Sequence, residues 1–169
     1  MSERKTIRKW MWVWDFEKEE TWLNQMSASG WVLDKVGFCK YEFMRAEPDE
    51  YTVRLEMHDA DPAYIAFMEE TGAEYVGRMA QWIYFRKKIA DGAFDLFSDR
   101  DSRIAHLDRI ARVLRGVTLA NLIIGVCNSI NPMLHVGWVN LLCATLTAYG
   151  LGRIQGKADE LRKARELQE

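Results

Sequence analysis

The sequence predicts an α+β domain followed by a connector helix and a two-helix transmembrane hairpin. Three observations lead to this prediction. Before residue 92, several short segments alternate apolar with polar residues, as strands do, and two segments switch to helical spacing. Residues 116–152 contain no Asp, Glu, Lys or Arg. Charged residues are dense on both sides of that block, which marks it as a separate part of the chain.

Composition excludes several classes of protein. The chain has 169 residues, 49% of them hydrophobic, so it is neither disordered nor a linker. Its 23 Lys+Arg against 25 Asp+Glu give a net charge of −2, which argues against a nucleic-acid partner. Three cysteines without a CxxC pair favour a reducing compartment. The first residues lack the apolar stretch of a signal peptide, so we expect none there.

The first element is predicted to be a strand over residues 7–15. Alternation in this segment places Trp10, Trp12 and Trp14 on one face. Two interpretations fit such a face. The indoles pack in the core, or they form an aromatic platform that binds an apolar ligand or a partner, and we name them as candidate binding residues. Base stacking would require an excess of flanking cations, which this part of the chain lacks.

A helix over residues 16–29 and a long strand over residues 31–44 come next. Gly30 is placed to end the helix, and the acids of residues 17–20 are expected to form a solvated first turn that complements the helix dipole. Cys39 is predicted to lie in the middle of the strand as an inert buried thiol.

The second half of the domain repeats this order. A strand over residues 51–57 precedes a helix that Asp61 caps, that starts at Pro62 and that ends at Gly72. Residues 73–87 read as a final strand or a strand pair. The resulting β-α-β-β-α-β order predicts a ferredoxin-like domain, with a four-stranded antiparallel sheet and two helices on one face. The two halves also resemble a duplicated unit.

The connector helix is predicted over residues 93–115, with Ser98 as its N-cap. Its apolar residues follow a heptad-like spacing, which suits either packing on the sheet domain or self-association. It can also continue into the first membrane span as one long helix. The residues of this seam are Ile104, Leu107, Ala111 and Leu114.

The uncharged block is too long for one membrane helix, because a single helix of that length would extend about 55 Å across a hydrocarbon core of about 30 Å. Asn131 and Pro132 break it, so we predict two spans over residues 113–130 and 133–152. A soluble helical hairpin is the alternative, but it would need a charged face. The predicted divisions are 1–92 (α+β domain), 93–115 (connector), 116–153 (hairpin) and 154–169 (tail helix).

Flanking charges predict the orientation of the two spans. Lys and Arg residues lie before the first span and after the second, and the turn between the spans has none. The positive-inside rule then places both termini in the cytoplasm, with the protein in the cell membrane and in contact with membrane lipid.

Small and polar residues within the spans predict close helix packing. Asn121 and Asn128 lie on one stripe with Gly125, and an Asn in hydrocarbon must find a hydrogen-bonding partner. The stripe either joins the two spans or supports a homo-oligomer; a small oligomeric pore or a transporter accessory subunit is the further alternative. On the second span, the packing candidates recur every fourth residue, namely Ala144, Ala148 and Gly152.

No catalytic or metal-binding motif is present in the sequence. The three histidines, His58, His106 and His135, are far apart along the chain, and the acids beside His58 are better explained as a helix cap. We therefore expect no enzymatic activity, no metal and no cofactor.

Four sequence blocks resemble the bacterial family called domain of unknown function 2812. They are residues 12–31, 36–43, 47–57 and 74–88, and the similarity extends over about residues 7–110. The resemblance implies a soluble N-terminal domain followed by membrane segments, and genes placed beside PadR-type transcriptional regulators. It implies no catalytic residues. We therefore expect a membrane-anchored, oligomeric binding or regulatory module with a protein partner linked to transcriptional regulation.

Overall fold

The fold is described by a computed structural model over residues 3–97, 99–130 and 136–166. Four residues named above lie outside the described residues. These are the predicted cap and the middle of the predicted turn: Ser98, Asn131, Pro132 and His135.

The chain divides into two compact units, Met1–Ser98 and Asp99–Glu169. The first unit is an α+β domain, which confirms the predicted class. Its elements in chain order are β1 (Arg4–Arg8), α1 (Phe16–Ala28), β2 (Trp31–Gly37), β3 (Lys40–Arg45), β4 (Tyr51–Met57), α2 (Pro62–Glu70), β5 (Glu74–Met79) and β6 (Trp82–Lys88), with short 3-10 turns at Val13–Asp15 and Ile89–Asp91.

The strands form two three-stranded antiparallel sheets rather than the single four-stranded sheet of the ferredoxin-like prediction. Their strand orders are β1-β3-β2 and β4-β6-β5. Each sheet comes from one β-α-β-β unit, so this part of the chain contains two copies of the unit, with β3 and β6 as the central strands. The edge strands β2 and β5 lie side by side.

Two tight turns cause this difference. Residues 31–44, predicted as one strand, fold as the β2–β3 hairpin. Residues 73–87, predicted as a final strand or a strand pair, form the strand pair, which is the β5–β6 hairpin. Cys39 and Ala80 adopt left-handed backbone conformations at these turns, with φ values of 51° and 54°. Because neither residue is Gly or Asn, the usual signals of such a turn are missing from the sequence. Cys39 is accordingly half-buried at a turn and not in the middle of a strand.

The first strand is shorter than predicted because its partner ends. β1 pairs with β3, and the last pair in the register is Arg8 with Lys40. One further hydrogen bond joins the Lys9 amide to the Cys39 carbonyl, at 3.1 Å. Beyond that turn β3 offers no backbone to pair with, so the segment that carries Trp10 and Trp12 leaves the sheet.

Helix α1 covers the outer edge of β4. The Asn24 side chain donates to the Val53 carbonyl at 2.9 Å and accepts from the Val53 amide at 2.8 Å. One turn later, the Ser27 hydroxyl donates to the Tyr51 carbonyl at 2.6 Å. These side chains replace a neighbouring strand, since they bond the backbone groups that an edge strand leaves unpaired.

The second half of the unit matches the predicted helix signals. Asp61 caps α2, and its side chain accepts from the Ala63 amide at 3.1 Å. After the helix the chain turns through Gly72, whose φ of 85° suits glycine. The core cluster beneath α2 consists of Met68, Ala73, Ile83, Phe85 and Phe94.

The second unit consists of two long antiparallel helices, α3 (Arg100–Ile130) and α4 (Gly137–Glu166). The predicted connector and first span are therefore one continuous helix, and so are the second span and the tail. At their charged ends, Arg162 binds both carboxylate oxygens of Asp108, at 2.5 and 2.7 Å. Both contacts come from the Nη2 atom of Arg162, and this ion pair joins the two helices.

Candidate functional site

The three predicted binding tryptophans come together, although not on a strand face. Trp12 stacks on Trp14 with ring centroids 4.9 Å apart, and Trp10 meets Trp12 edge-on at 5.3 Å. Trp14 is 4% exposed and belongs to the core, whereas Trp10 and Trp12 are 56% and 39% exposed. The core interpretation therefore describes one indole, Trp14, whereas Trp10 and Trp12 lie at the surface.

A small cavity adjoins Trp12. Its volume of about 20 Å³ is enough for roughly one water molecule. The walls come from the segment after β1, from α1 and from the β5–β6 hairpin. The lining residues are Met11, Trp12, Val13, Phe16, Glu19, Met79 and Trp82.

Glu19 is the charged residue of this cavity, and only 5% of its surface is exposed. Tyr41 on β3 and Tyr84 on β6 both donate hydroxyl hydrogen bonds to its Oε1 atom, at 2.8 and 2.7 Å. The central strands of both sheets thus meet at one carboxylate oxygen. Among the described residues, no group donates a hydrogen bond to Oε2.

Burial controls the protonation of this cluster. Removal from water raises the pKa of Glu19 above its usual value of 4.5, while the two tyrosine hydrogen bonds and the charge of Lys9 oppose the rise. Burial and the neighbouring carboxylate raise the pKa of Tyr41 and of Tyr84. Both tyrosines therefore stay protonated and remain hydrogen-bond donors at any physiological pH.

Sequence reasoning missed Glu19. The prediction of a solvated acidic turn is correct for Glu17, which is exposed, but wrong for Glu19. A signal was present: Phe16, Glu19 and Leu23 follow the spacing of one helix face, and all three are buried. An acid at such a position must be buried and therefore needs hydrogen-bond donors from elsewhere in the fold.

The described histidines, His58 and His106, are not among the residues that line the Glu19 cavity. His58 stacks on Tyr64 with ring centroids 4.1 Å apart, and the Tyr64 hydroxyl donates to the buried Glu56. His106 is buried within α3. Within the described ranges, no three His, Cys, Asp or Glu side chains are placed to hold a metal ion.

The asparagine stripe joins α3 to α4 within one chain. Asn128 donates to Asn140 at 3.5 Å, and Asn140 donates to Asn121 at 3.2 Å. Further along the contact, the Thr118 and Thr147 hydroxyls are 2.9 Å apart. The polar groups of both helices therefore bond each other across the contact.

The predicted small-residue packing positions have two different outcomes. Gly125 lies against Leu141, since a Cβ at Gly125 would meet the Leu141 side chain at 2.8 Å, and Ala144 is buried. Ala148 and Gly152 are exposed, so the stripe is not one packing face. The reason is helical geometry: a four-residue step drifts about 40° around the helix and leaves the contact face.

The outer surfaces of both helices are apolar over the uncharged block. Exposed apolar side chains on α3 and α4 include Leu119, Leu122, Ile123, Ile124, Val126, Trp138, Val139, Leu142 and Tyr149. Helix α3 is long and apolar enough to cross a membrane. Among the described residues, helix α4 does not meet the same requirement, although its residues 137–152 contain no Asp, Glu, Lys or Arg.

Comparison with known proteins gives one result. No curated protein and no solved structure matches the chain. A family model described as "Protein of unknown function (DUF2812)" matches residues 15–119, which include Glu19, Tyr41 and Tyr84. The match covers more than half of the chain, from α1 into α3, and so the chain belongs to the DUF2812 family of proteins of unknown function.

Proposed function

We propose that this protein is a membrane-anchored cytoplasmic binding module that senses a small ligand in the cavity beside Trp12. The observation that carries the proposal is the buried carboxylate of Glu19 in an aromatic cavity at the edge of the fold. A buried charge opposes folding, and aromatic pockets with a few convergent polar groups are typical of ligand sites.

Anchoring is supported by the way that polarity is distributed over α3 and α4. The three asparagines bond each other between the helices, as do Thr118 and Thr147, and large apolar side chains face outward. A soluble hairpin has the reverse arrangement, with its apolar side chains inside. We propose two spans with both termini in the cytoplasm, because basic residues flank the uncharged block at both ends.

Reporter fusions test this topology. Green fluorescent protein fused after residue 169 should fluoresce, and alkaline phosphatase at the same position should be inactive. Phosphatase fused at residue 134 should be active. If α3 alone crosses the membrane, the two termini lie on opposite sides and both C-terminal results reverse. Recovery of the full chain in the soluble fraction would contradict the anchoring proposal altogether.

A thermal-shift screen of the full chain in detergent tests ligand binding. We expect small aromatic or amphipathic compounds that stabilise the protein and lose this effect in Trp12→Ala. Phe67→Ala on α2 is the matched control, because Phe67 is 59% exposed and does not line the cavity. Stabilising compounds that act equally on Trp12→Ala would place the ligand site elsewhere.

Self-association is the remaining part of the proposal. Near the ends of the uncharged block, α3 and α4 offer two exposed glycines, Gly116 and Gly152, where an added Cβ would meet nothing within 4 Å. Small residues let membrane helices approach closely. Light scattering of the full chain in detergent should give a defined oligomer, and a monomer would remove this part of the proposal.

A further inference from the structure

We propose that the Glu19 cavity binds an organic cation, whose charge pairs with the Glu19 carboxylate while its alkyl or aryl groups pack against the surrounding aromatic rings. This inference rests on the proposed ligand-binding function and specifies the class of ligand.

The first argument is charge. Glu19 forms no ion pair with any described residue; its hydrogen bonds come from Tyr41 and Tyr84, and both reach Oε1. The other residues that line the cavity are uncharged. Hydroxyl hydrogen bonds leave the net negative charge in place, so a cation that enters would relieve the cost of burying it, whereas an anion would increase that cost.

The second argument is the chemistry of the walls. Trp12, Phe16 and Trp82 contribute aromatic rings to the cavity, with the Phe16 and Trp82 centroids 5.6 Å apart. Ring faces carry partial negative charge and attract alkylammonium groups, while their edges and the methionines accept apolar substituents. A carboxylate together with aromatic rings favours a cation over a neutral molecule of the same shape.

The third argument concerns access. A cavity of about 20 Å³ holds no organic ligand without rearrangement. Met11 and Trp12 lie in the segment between β1 and the 3-10 turn at Val13–Asp15, outside any helix or strand. Trp12 is 39% exposed, so its outward rotation disturbs little of the core. Ligand entry then exposes the carboxylate by separating Trp12 from Trp14, which should change tryptophan fluorescence.

Protonation provides an independent signature. Burial raises the pKa of Glu19, and a bound cation stabilises the ionised carboxylate, so binding should release protons and strengthen as the pH rises through that pKa. The groups that face Glu19 are Tyr41 on β3, Tyr84 on β6 and Lys9 after β1. Burial and the Glu19 carboxylate raise the pKa values of both tyrosines, so the tyrosines stay protonated throughout. The charge of Lys9 opposes the rise in the pKa of Glu19.

Calorimetry on the full chain in an uncharged maltoside detergent tests the proposal. The probes are choline, benzyltrimethylammonium and tetraphenylphosphonium; 3,3-dimethylbutan-1-ol has the shape of choline without its charge. We expect at least one cation to bind and the alcohol not to bind. Glu19→Gln keeps an oxygen acceptor for both tyrosines and should weaken cation binding by roughly 30-fold or more. Glu17→Gln, an exposed neighbour on α1, should bind like the natural chain.

Three outcomes would overturn the cation proposal. They are equal binding of choline and its neutral analogue, undiminished binding by Glu19→Gln, and no binding of any cation in the panel. Neutral compounds that still stabilise the protein and still depend on Trp12 would leave the ligand-binding function standing. The thermal unfolding of Glu19→Gln is measured in parallel, so loss of folding cannot imitate the expected result. Tyr84→Phe provides a second variant, which keeps the carboxylate.

Discussion

At the scale of single residues, Glu19, Trp12 and Trp14 separate positions that support the fold from positions available to the proposed ligand. Glu19 is a buried acid satisfied at one oxygen by two tyrosines from different sheets. Trp14 and Trp12 are stacked neighbours, yet one is in the core and the other at the surface. Substitutions at these positions separate the two roles.

Glu19→Gln should make the protein more stable at neutral pH. The folded state raises the pKa of Glu19 above its usual value of 4.5. Protonated Glu19 therefore stabilises the folded chain fully below pH 4.5, and this contribution is lost as the pH rises through the folded-state pKa. The variant should therefore unfold at a higher temperature at pH 7 and at the same temperature as the natural chain near pH 4. For a chain of this size, 1 kcal/mol corresponds to about 2–4 °C in thermal unfolding. A variant that is less stable at pH 7 would contradict this reasoning.

Trp14→Ala and Trp10→Ala should differ strongly in their effect on stability. Trp14 is 4% exposed, so its truncation should cost about 3–5 kcal/mol of unfolding free energy. Trp10 is 56% exposed, and its truncation should cost under about 1 kcal/mol. Thermal unfolding of both variants, followed by circular dichroism, provides the comparison. Similar losses in the two variants would mean that the exposed indole also supports the fold.

At the scale of elements, close contacts of side chains with backbone determine how neighbours meet. Helix α1 uses Asn24 and Ser27 in place of a strand along the edge of β4. In the second unit, α4 begins against α3 with almost no space between the backbones. At Gly137, an added Cβ would lie 2.6 Å from the Gly125 carbonyl oxygen and 2.7 Å from the Ser129 amide nitrogen.

Gly137→Ala should destabilise the helix pair by about 1–3 kcal/mol, because the backbone of α3 cannot give way as a flexible side chain can. Gly156→Ala on the same helix is the matched control. Its Cβ would meet nothing within 4 Å, so the variant should keep its stability or gain up to about 1 kcal/mol from helix propensity. Thermal unfolding of the full chain in detergent measures both. Equal behaviour of the two variants would show that the helices can separate at this point without cost.

At the scale of the whole molecule, the two units distribute their apolar residues differently. The first unit buries apolar residues beneath its helices and sheets. The second buries apolar residues such as Ile110 and Ile154 at its charged end, but over the uncharged block its apolar side chains are exposed and its asparagines bond between the helices. Each arrangement suits a different solvent, which is the basis for the proposed anchoring.

Ile123→Lys should reduce membrane integration. Ile123 is 62% exposed in the middle of the apolar part of α3, and a charge at mid-span costs about 2.5–3.5 kcal/mol of insertion free energy. The measurement is the share of protein that stays in the membrane pellet after an alkaline wash. Ala105→Lys, exposed at the charged end of the same helix, should not change that share. An unaltered share for Ile123→Lys would mean that this surface does not face lipid.

The sequence by itself determined the elements whose signals are local. Four features follow from neighbouring residues: the cap at Asp61, the glycine at the end of α1, the strand over residues 51–57 and the uncharged block. The family followed from blocks of such residues. Only the tertiary structure decided the two separate sheets, the short β1 and the burial of Glu19. In each of these cases the cause is a partner far away in the chain: β3 ends where β1 loses its pairing, and tyrosines from β3 and β6 meet a carboxylate on α1. Local periodicity carries no information about such partners, because hydrogen bonding and burial depend on distance in space.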